Sequence, residues 1–518
     1  MSGYEKVELN KITPSHIGKK VRTFGWVETS RVQKTTTFIT LYAGYKLLKC
    51  VYVRSNTDKM EEKLTDLKIS EEKTTEEKTS EEQNEDFQKE LDKSENPEAL
   101  LESLKLLSDP EATKKMGKKE LRYLQKLEKL RTKKKISATN EAEKNFTFST
   151  SLEIFGTVQE NINKEKDGFQ VEFHIESLRV CGDMAPSFPV AQSSDAFTKL
   201  ENGHLYLRLP ERRLYLKARS HLMRLIRDFY YTNEYTEVAP PTLVQSQVEG
   251  GSTLFTLDYY GSPAYLTQSS QLYLETAVPV AMKAFCSVQS YRAEKSNTRR
   301  HLSEYVHVEA ELADVEFKDL LDSIEGLVTY VASKFYKDMA HDIKEVYPDF
   351  KVPEIPKFIR MTYKEGIEFL REQKYLNEDK KMFEVGDDIP DAAERFMVDS
   401  KGAPILLTNF LIEHKPFYMK RSKEHAGTTE SCDLLFPGVG EIVGGSMRTE
   451  SSENLVEGFV RENIPQDPYY WYIDMLKYGP SSHGGYGLGF ERLLMALMKY
   501  DSINMATLYP RFVNRCSP

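Results

Sequence analysis

The chain has 518 residues, with 71 basic against 80 acidic side chains and a formal net charge of −9. That length gives room for two or three domains with sizeable cores, and the acidic balance excludes a wholly basic nucleic-acid coat protein while leaving room for a local basic surface. Five scattered cysteines without metal-ligand spacing, an N-terminus with no apolar signal core and no apolar run of membrane-spanning length lead us to expect a soluble, reduced, cytoplasmic protein.

Taken in order, residues 21–27, 37–41 and 47–53 alternate in the manner of strands, and similar text returns at 152–158 and 169–180. Five short strands of this kind predict a small closed barrel of the OB-fold type, which binds single-stranded nucleic acid by stacking bases on aromatics beside basic side chains. Arg31, Gln33 and Phe38 are the candidates for that face, the alternative being that Phe38 is core. An insert at 56–146 interrupts the barrel. Its first part is charged and of low complexity, so it cannot bury a core. Its second part places Leu121, Leu124, Leu127 and Leu130 among many lysines, which predicts an exposed basic helix, either against nucleic-acid phosphates or simply solvated. A Pro/Ser/Gly-rich hinge is expected at 182–195.

Beyond the hinge an amphipathic helix is predicted over 212–232. It leads into a strand at 235–243 interrupted by Pro240 and Pro241, which suits a sheet edge. Two further strands, 285–291 and 305–312, flank a long charged loop and predict an antiparallel hairpin. Arg292 and Glu294 are expected to alternate on one strand, Glu309 and Glu311 on the other. Charges on a central strand call for a charged ligand or partner; a salt-bridged surface hairpin is the plainer alternative. Helices are predicted at 317–350 and 363–376, and strand signals return at 404–410, 433–436 and 441–443. Near the end, a glycine-rich strand from Gly484 to Gly489 runs into a helix bearing Arg492 near its first turn. Glycines let a ligand lie against backbone, and an arginine there supplies a phosphate fork.

The hairpin reads Arg292-x-Glu294, then Arg300-His301-Leu302, then Glu304-Tyr305. It resembles motif 2 of the class II aminoacyl-tRNA synthetases, in the wording of their asparaginyl/aspartyl branch. The run Gly487-x-Gly489-x-Glu491-Arg492 resembles motif 3, and the helix–strand–proline passage resembles motif 1, with Pro241 at the matching position. The resemblance implies an α+β protein: an OB-fold anticodon-binding barrel over 1–181, then a catalytic domain over 196–518 built on an antiparallel sheet flanked by helices. It also implies the reaction, in which ATP activates an amino acid to an adenylate that is passed to the 3′ end of tRNA.

Site residues follow from the same resemblance. Arg292, His301 and Arg492 would form the catalytic set, with Arg292 on the α-phosphate and Arg300, His301 and Arg492 on the β- and γ-phosphates. Glu294 would meet adenine, Tyr305 would stack on it, and Leu302, Glu441, Gly489 and Glu491 complete the ATP site. Asp433 and Glu441 are the implied Mg²⁺ ligands, although Gly444 stands where the family often has a serine. Glu249, Gln268, Gln271, Glu275 and Arg448 would bind the amino acid, Glu249 through its ammonium. The aspartyl enzymes carry a lysine where this chain has Leu274, followed here by Glu275. Asparagine is therefore the expected substrate and tRNA(Asn) the expected acceptor, with a homodimer formed through the motif 1 region. Aspartate as substrate, free asparagine as product, and a binding protein without chemistry are the alternatives.

Overall fold

The computed structural model describes residues 3–34, 36–53, 146–248, 254–295 and 298–518, in two compact units, Met1–Ala191 and Gln192–Pro518. The basic helix expected at 110–135, and the insert apart from its last residue Phe146, lie outside the described residues.

In the first unit, strands β1 (Lys20–Gln33), β2 (Thr36–Ala43), β3 (Lys46–Val53), β4 (Ser151–Glu160) and β5 (Val171–Val180) close into an OB-like barrel. β1 pairs antiparallel with both β2 and β4, β2 with β3 and β4 with β5, while β3 lies parallel to β5. The period-2 pattern explains the core: Val21, Val27, Ile39, Leu41, Cys50, Ile154 and Phe173 all point inward. β1 runs six residues past the expected strand because a bulge between Val27 and Thr29 bends the ladder rather than ending it. Gly156 sits at a second bulge, where any Cβ would collide with the His174 carbonyl.

The second unit is built on eight strands: β6 (Thr236–Glu237), β7 (Lys283–Tyr291), β8 (Glu304–Ala313), β9 (Ile359–Thr362), β10 (Ile405–Thr408), β11 (Ser431–Phe436), β12 (Gly440–Met447) and β13 (His483–Gly489). Their spatial order is β9-β10-β11-β12-β13-β8-β7-β6, antiparallel except for the parallel outermost pair at each edge. β6 is shorter than the strand expected at 235–243. Its pairing continues only to Val238, whose N–H donates to Phe285 O at 2.8 Å, and then Pro240 and Pro241 remove the donors a ladder needs.

Helices α1 (Pro210–Thr232), α3 (Phe317–Val346) and α5 (Phe490–Met498) cover one face of this sheet; α2 (Gln271–Ala281) and α4 (Asp391–Lys401) lie elsewhere on it. Ile226 and Tyr230 of α1, Ile324, Val328 and Phe335 of α3, and Leu493 and Leu494 of α5 pack against Phe285, Val308, Val443 and Leu488. Alternation along β8 then decides the other face. Val306, Val308, Ala310 and Leu312 enter that core, so Tyr305, His307, Glu309 and Glu311 are sent to the opposite side. There they meet β13, which offers Gly485, Gly487 and Gly489 in register with Glu311, Glu309 and His307. A Cβ at Gly485 would run into the Glu311 carboxyl and the Ala310 carbonyl, and one at Gly487 into the His307 ring. The glycines therefore make room for the charged side chains of β8.

Gly485→Ala is expected to lower unfolding free energy by about 3 kcal/mol, the scale of overpacking a filled interior. Gly326→Ala, whose new methyl would meet only Phe229 at 3.9 Å in mid-α3, is expected to raise it by about 0.5–1 kcal/mol. Urea unfolding of both variants checks the pair.

Candidate active site

Beyond Tyr291 the pairing of β7 with β8 ends on one further bond, Arg292 N–H to Ser303 O at 3.0 Å. Arg292 and Glu294 therefore stand on extended coil and not on the strand expected for them: apolar alternation stops at Tyr291, and nothing beyond it anchors a ladder to the core. The coil and the face of β8 and β13 bound a cleft of about 590 Å³. Arg292, Glu294, Arg300, His301, Leu302, Tyr305, Glu441, Gly489, Glu491 and Arg492 all line it, so ten positions read from separate stretches converge on one cavity.

Within it the Arg292 guanidinium lies 5.7 Å from the Tyr305 ring centroid. Arg300 is held by Asp391 at 2.6 Å and by the Val439 carbonyl at 3.2 Å. Arg492, from the first turn of α5, donates to both the carbonyl and the carboxylate of Glu441, each at 3.0 Å. Burial and then the neighbouring Arg492 lower the pKa of His301, against the pull of Glu294 at 3.7 Å. Glu491 has its carboxylate turned to the sheet, accepting Val306 N–H at 3.0 Å, and burial pushes it up to about 7.

A second cleft of about 930 Å³ shares Arg292, His307, Glu441 and Gly487 with the first. Gln271, Glu309, Glu311, Lys415, Asp433 and Arg448 also line it. Glu309 pins the 268–271 segment, accepting from Ser269 Oγ and from Ser270 N–H, the latter at 2.8 Å. Gln268 is buried and turns its oxygen to Val248 N–H at 3.3 Å. Arg448 is 2% exposed. Its Nε and one Nη donate to the two oxygens of Glu311, the other Nη to Ser446 Oγ at 2.7 Å.

Glu275 departs from expectation. Its oxygens receive the Gln271 amide at 3.0 Å, Tyr472 OH at 2.9 Å and His483 Nε2 at 3.0 Å, so it lies behind Arg448 and does not line the second cleft. Leu274 is buried with Ala284 and Cys286. Glu249 lies outside the described residues.

At the far wall Asp433 and Glu441 flank Gly444, where a Cβ would sit 3.4 and 3.3 Å from their oxygens. Asp433 is paired with Lys415 at 2.7 Å. Burial opposes the charge of Glu441, but Arg492, Lys415, Arg292 and Arg300 outweigh it and bring its pKa down to about 2. Glu394 of α4, beside them, is pushed up to about 8 by burial and by the charges of Glu441 and Asp433. Glu394, Lys415 and Tyr472 went unread in the sequence, since each comes singly from a stretch without a motif, and His483 went unread although it stands one residue before the glycine run of β13.

On the barrel, Arg31 is directly opposite Phe38 in the β1–β2 ladder, and Gln33 follows on the same face of β1. Phe38 is half-buried on the side away from Thr37 and Ile39, which fill the core side.

A sheet of this order with two joined clefts over its glycine strand defines the class. The chain belongs to the class II tRNA synthetases (D, K and N), whose family profile matches residues 195–513. It is 47% identical over 523 residues to a probable cytoplasmic asparagine–tRNA ligase of Encephalitozoon cuniculi, covering 100% of this chain and 96% of the relative. The asparaginyl-tRNA synthetase of Entamoeba histolytica, solved with asparaginyl-adenylate, superposes with a TM-score of 0.75 at 33% identity over 99% of each chain. That of Pyrococcus horikoshii, also with asparaginyl-adenylate, gives 0.75 at 27% identity over 99% of this chain and 100% of the other.

Proposed function

We propose that this chain is a cytoplasmic asparagine–tRNA ligase, activating L-asparagine with ATP and transferring it to tRNA(Asn). The observation that carries the reading is the junction of the two clefts: Arg292 and Glu441 belong to both. An amino-acid carboxylate in the larger cleft then meets the α-phosphorus of a nucleotide in the smaller one. Such a step needs in-line positioning and neutralisation of charge more than covalent help. Arg292 takes the α-phosphate and Tyr305 the adenine face, with Glu294, Leu302, Gly489 and Glu491 completing the nucleotide wall. Arg300, His301 and Arg492 take the outer phosphates. Gln271 and Arg448 hold the amino acid, and Gln268 and Glu249 complete that set. Arg448 is offered to the side-chain oxygen.

Mg²⁺ fits the reading through Asp433 and Glu441, hard oxygen donors on either side of Gly444. A proton retained on Glu394 up to about 8 marks an excess of negative charge that a cation arriving with the phosphates relieves. Glu441 already faces Arg492 at 3.0 Å, so it would share its carboxylate between that guanidinium and a bound cation.

Pyrophosphate exchange with each of the twenty amino acids tests the assignment; dependence on any amino acid but asparagine overturns it. Arg492→Ala is expected to cost about 2 kcal/mol in the activation step, roughly 30-fold in exchange rate; a change within twofold removes Arg492 from the phosphate site.

The barrel is assigned to the anticodon, with Arg31, Gln33 and Phe38 as its reading face. Phe38→Ala is expected to weaken tRNA binding by about 1–3 kcal/mol while leaving exchange unchanged, measured by filter binding at fixed salt.

A homodimer through the motif 1 edge completes the proposal. β6 is an outermost strand, and Leu243, 50% exposed, follows exposed Pro241 beside it. Sedimentation at micromolar concentration is expected to give about twice the 59.7 kDa chain mass; a monomer counts against it.

A further inference from the structure

Both ring nitrogens of His483 face acceptors. Nδ1 lies 2.8 Å from the Ser481 carbonyl and Nε2 lies 3.0 Å from Glu275 Oε2. Glu275 has no donor to return, because the same oxygen accepts Tyr472 OH and the other accepts the Gln271 amide. Two acceptors on one imidazole require two N–H groups, so His483 is an imidazolium. Burial opposes that charge, but the hydrogen bond and the charge of Glu275 hold the His483 pKa above its ordinary value.

The four buried charges then balance. Arg448 and His483 are positive and Glu275 and Glu311 negative, with Arg448 Nε 3.8 Å from Glu275 as well as bonded to Glu311. We infer that His483 and Glu311 are specificity-positioning residues: together they make the floor behind the amino-acid cleft electrically neutral. Arg448 keeps the capacity to donate to an amide oxygen yet presents no net charge to a second carboxylate. An aspartate side chain would lose its hydration without gaining a counter-charge, whereas an asparagine amide exchanges one set of hydrogen bonds for another. The inference rests on assigning the larger cleft to the amino acid.

The charge count makes opposite demands on two isosteric variants. Glu311→Gln leaves the floor at +1, so the aspartate-to-asparagine ratio of kcat/KM in pyrophosphate exchange is expected to rise at least about tenfold. His483→Gln leaves it at −1, so that ratio is expected to stay or fall, with KM for asparagine rising as Arg448 is drawn toward Glu275. The double variant returns the floor to neutrality, and its ratio is expected to return toward that of the unmodified chain.

Proton uptake by Glu311 repeats the first substitution. Burial, with Glu275 adding to it and Arg448 opposing, raises the Glu311 carboxyl to about 7. Below that pH it is neutral, so the ratio is expected to rise on acidification from pH 8 to pH 6 in the unmodified chain and to stay flat in Glu311→Gln. The groups facing His483 and Glu311 are Glu275 on α2, Tyr472 on the helix Tyr470–Lys477, and Arg448 and Glu450 after β12; Glu450 is itself paired with Lys420.

General damage to the cleft would move both single variants the same way and make the double worse than either, and that result overturns the inference alone. If the unmodified chain activates aspartate, or neither amino acid, the assignment of the cleft falls and the inference with it.

Discussion

Everything in the catalytic unit depends on the pairing of β8 with β13. One strand presents His307, Glu309 and Glu311 to a single face; the other presents only glycines in register with them. Buried charges are tolerable where each finds a partner and enough space to reach it. The glycines supply the space, and Ser290, Ser269, Ser270 and Arg448 supply the partners. The opposite face of the same two strands carries Val308, Ala310, Tyr486 and Leu488 into the helix-covered core. Catalytic polarity and folding stability are thus separated by the pleat of a single sheet, one residue apart along the chain.

How much of this was legible in the sequence varies with how local each feature is. The barrel followed from period-2 alternation, and the nucleotide cleft from the resemblance of two continuous stretches, Arg292–Tyr305 and Gly487–Arg492, to family motifs; several side chains of those stretches share one wall. The amino-acid wall is different in kind. Glu311, Lys415 and Arg448, which line it, and Tyr472 and His483, which lie behind it, come from separate secondary-structure elements or loops, so no short motif contains two of them. Glu275 shows the limit most clearly. Successive residues on a helix differ by about 100° in direction, which sends Leu274 to the Ala284–Cys286 cluster and Glu275 to Arg448. The neighbourhood was readable, the direction was not.

The charged groups of the two clefts fall into paired sets, Lys415 with Asp433, Arg492 with Glu441, Arg300 with Asp391, Arg448 with Glu311. Each of these four cations is compensated within the protein, which lets so many charges stay below the surface of an acidic protein. On the proposed function, ligand phosphates and carboxylates bind by exchanging partners with these pairs. The cost of stripping water from the arginines was met when the chain folded, so less remains to be met at binding.

The common wall of the two clefts carries a thermodynamic consequence. Since Arg292 and Glu441 face both compartments, a ligand in either one alters the field felt in the other. Such coupling is reciprocal by linkage: whatever factor the nucleotide contributes to amino-acid affinity, the amino acid returns to the nucleotide. On the proposed assignment a like-charged pair, the amino-acid carboxylate and the nucleotide's inner phosphate, is drawn together over one guanidinium, and the repulsion that would keep them apart in water is offset by a cation neither ligand has to itself.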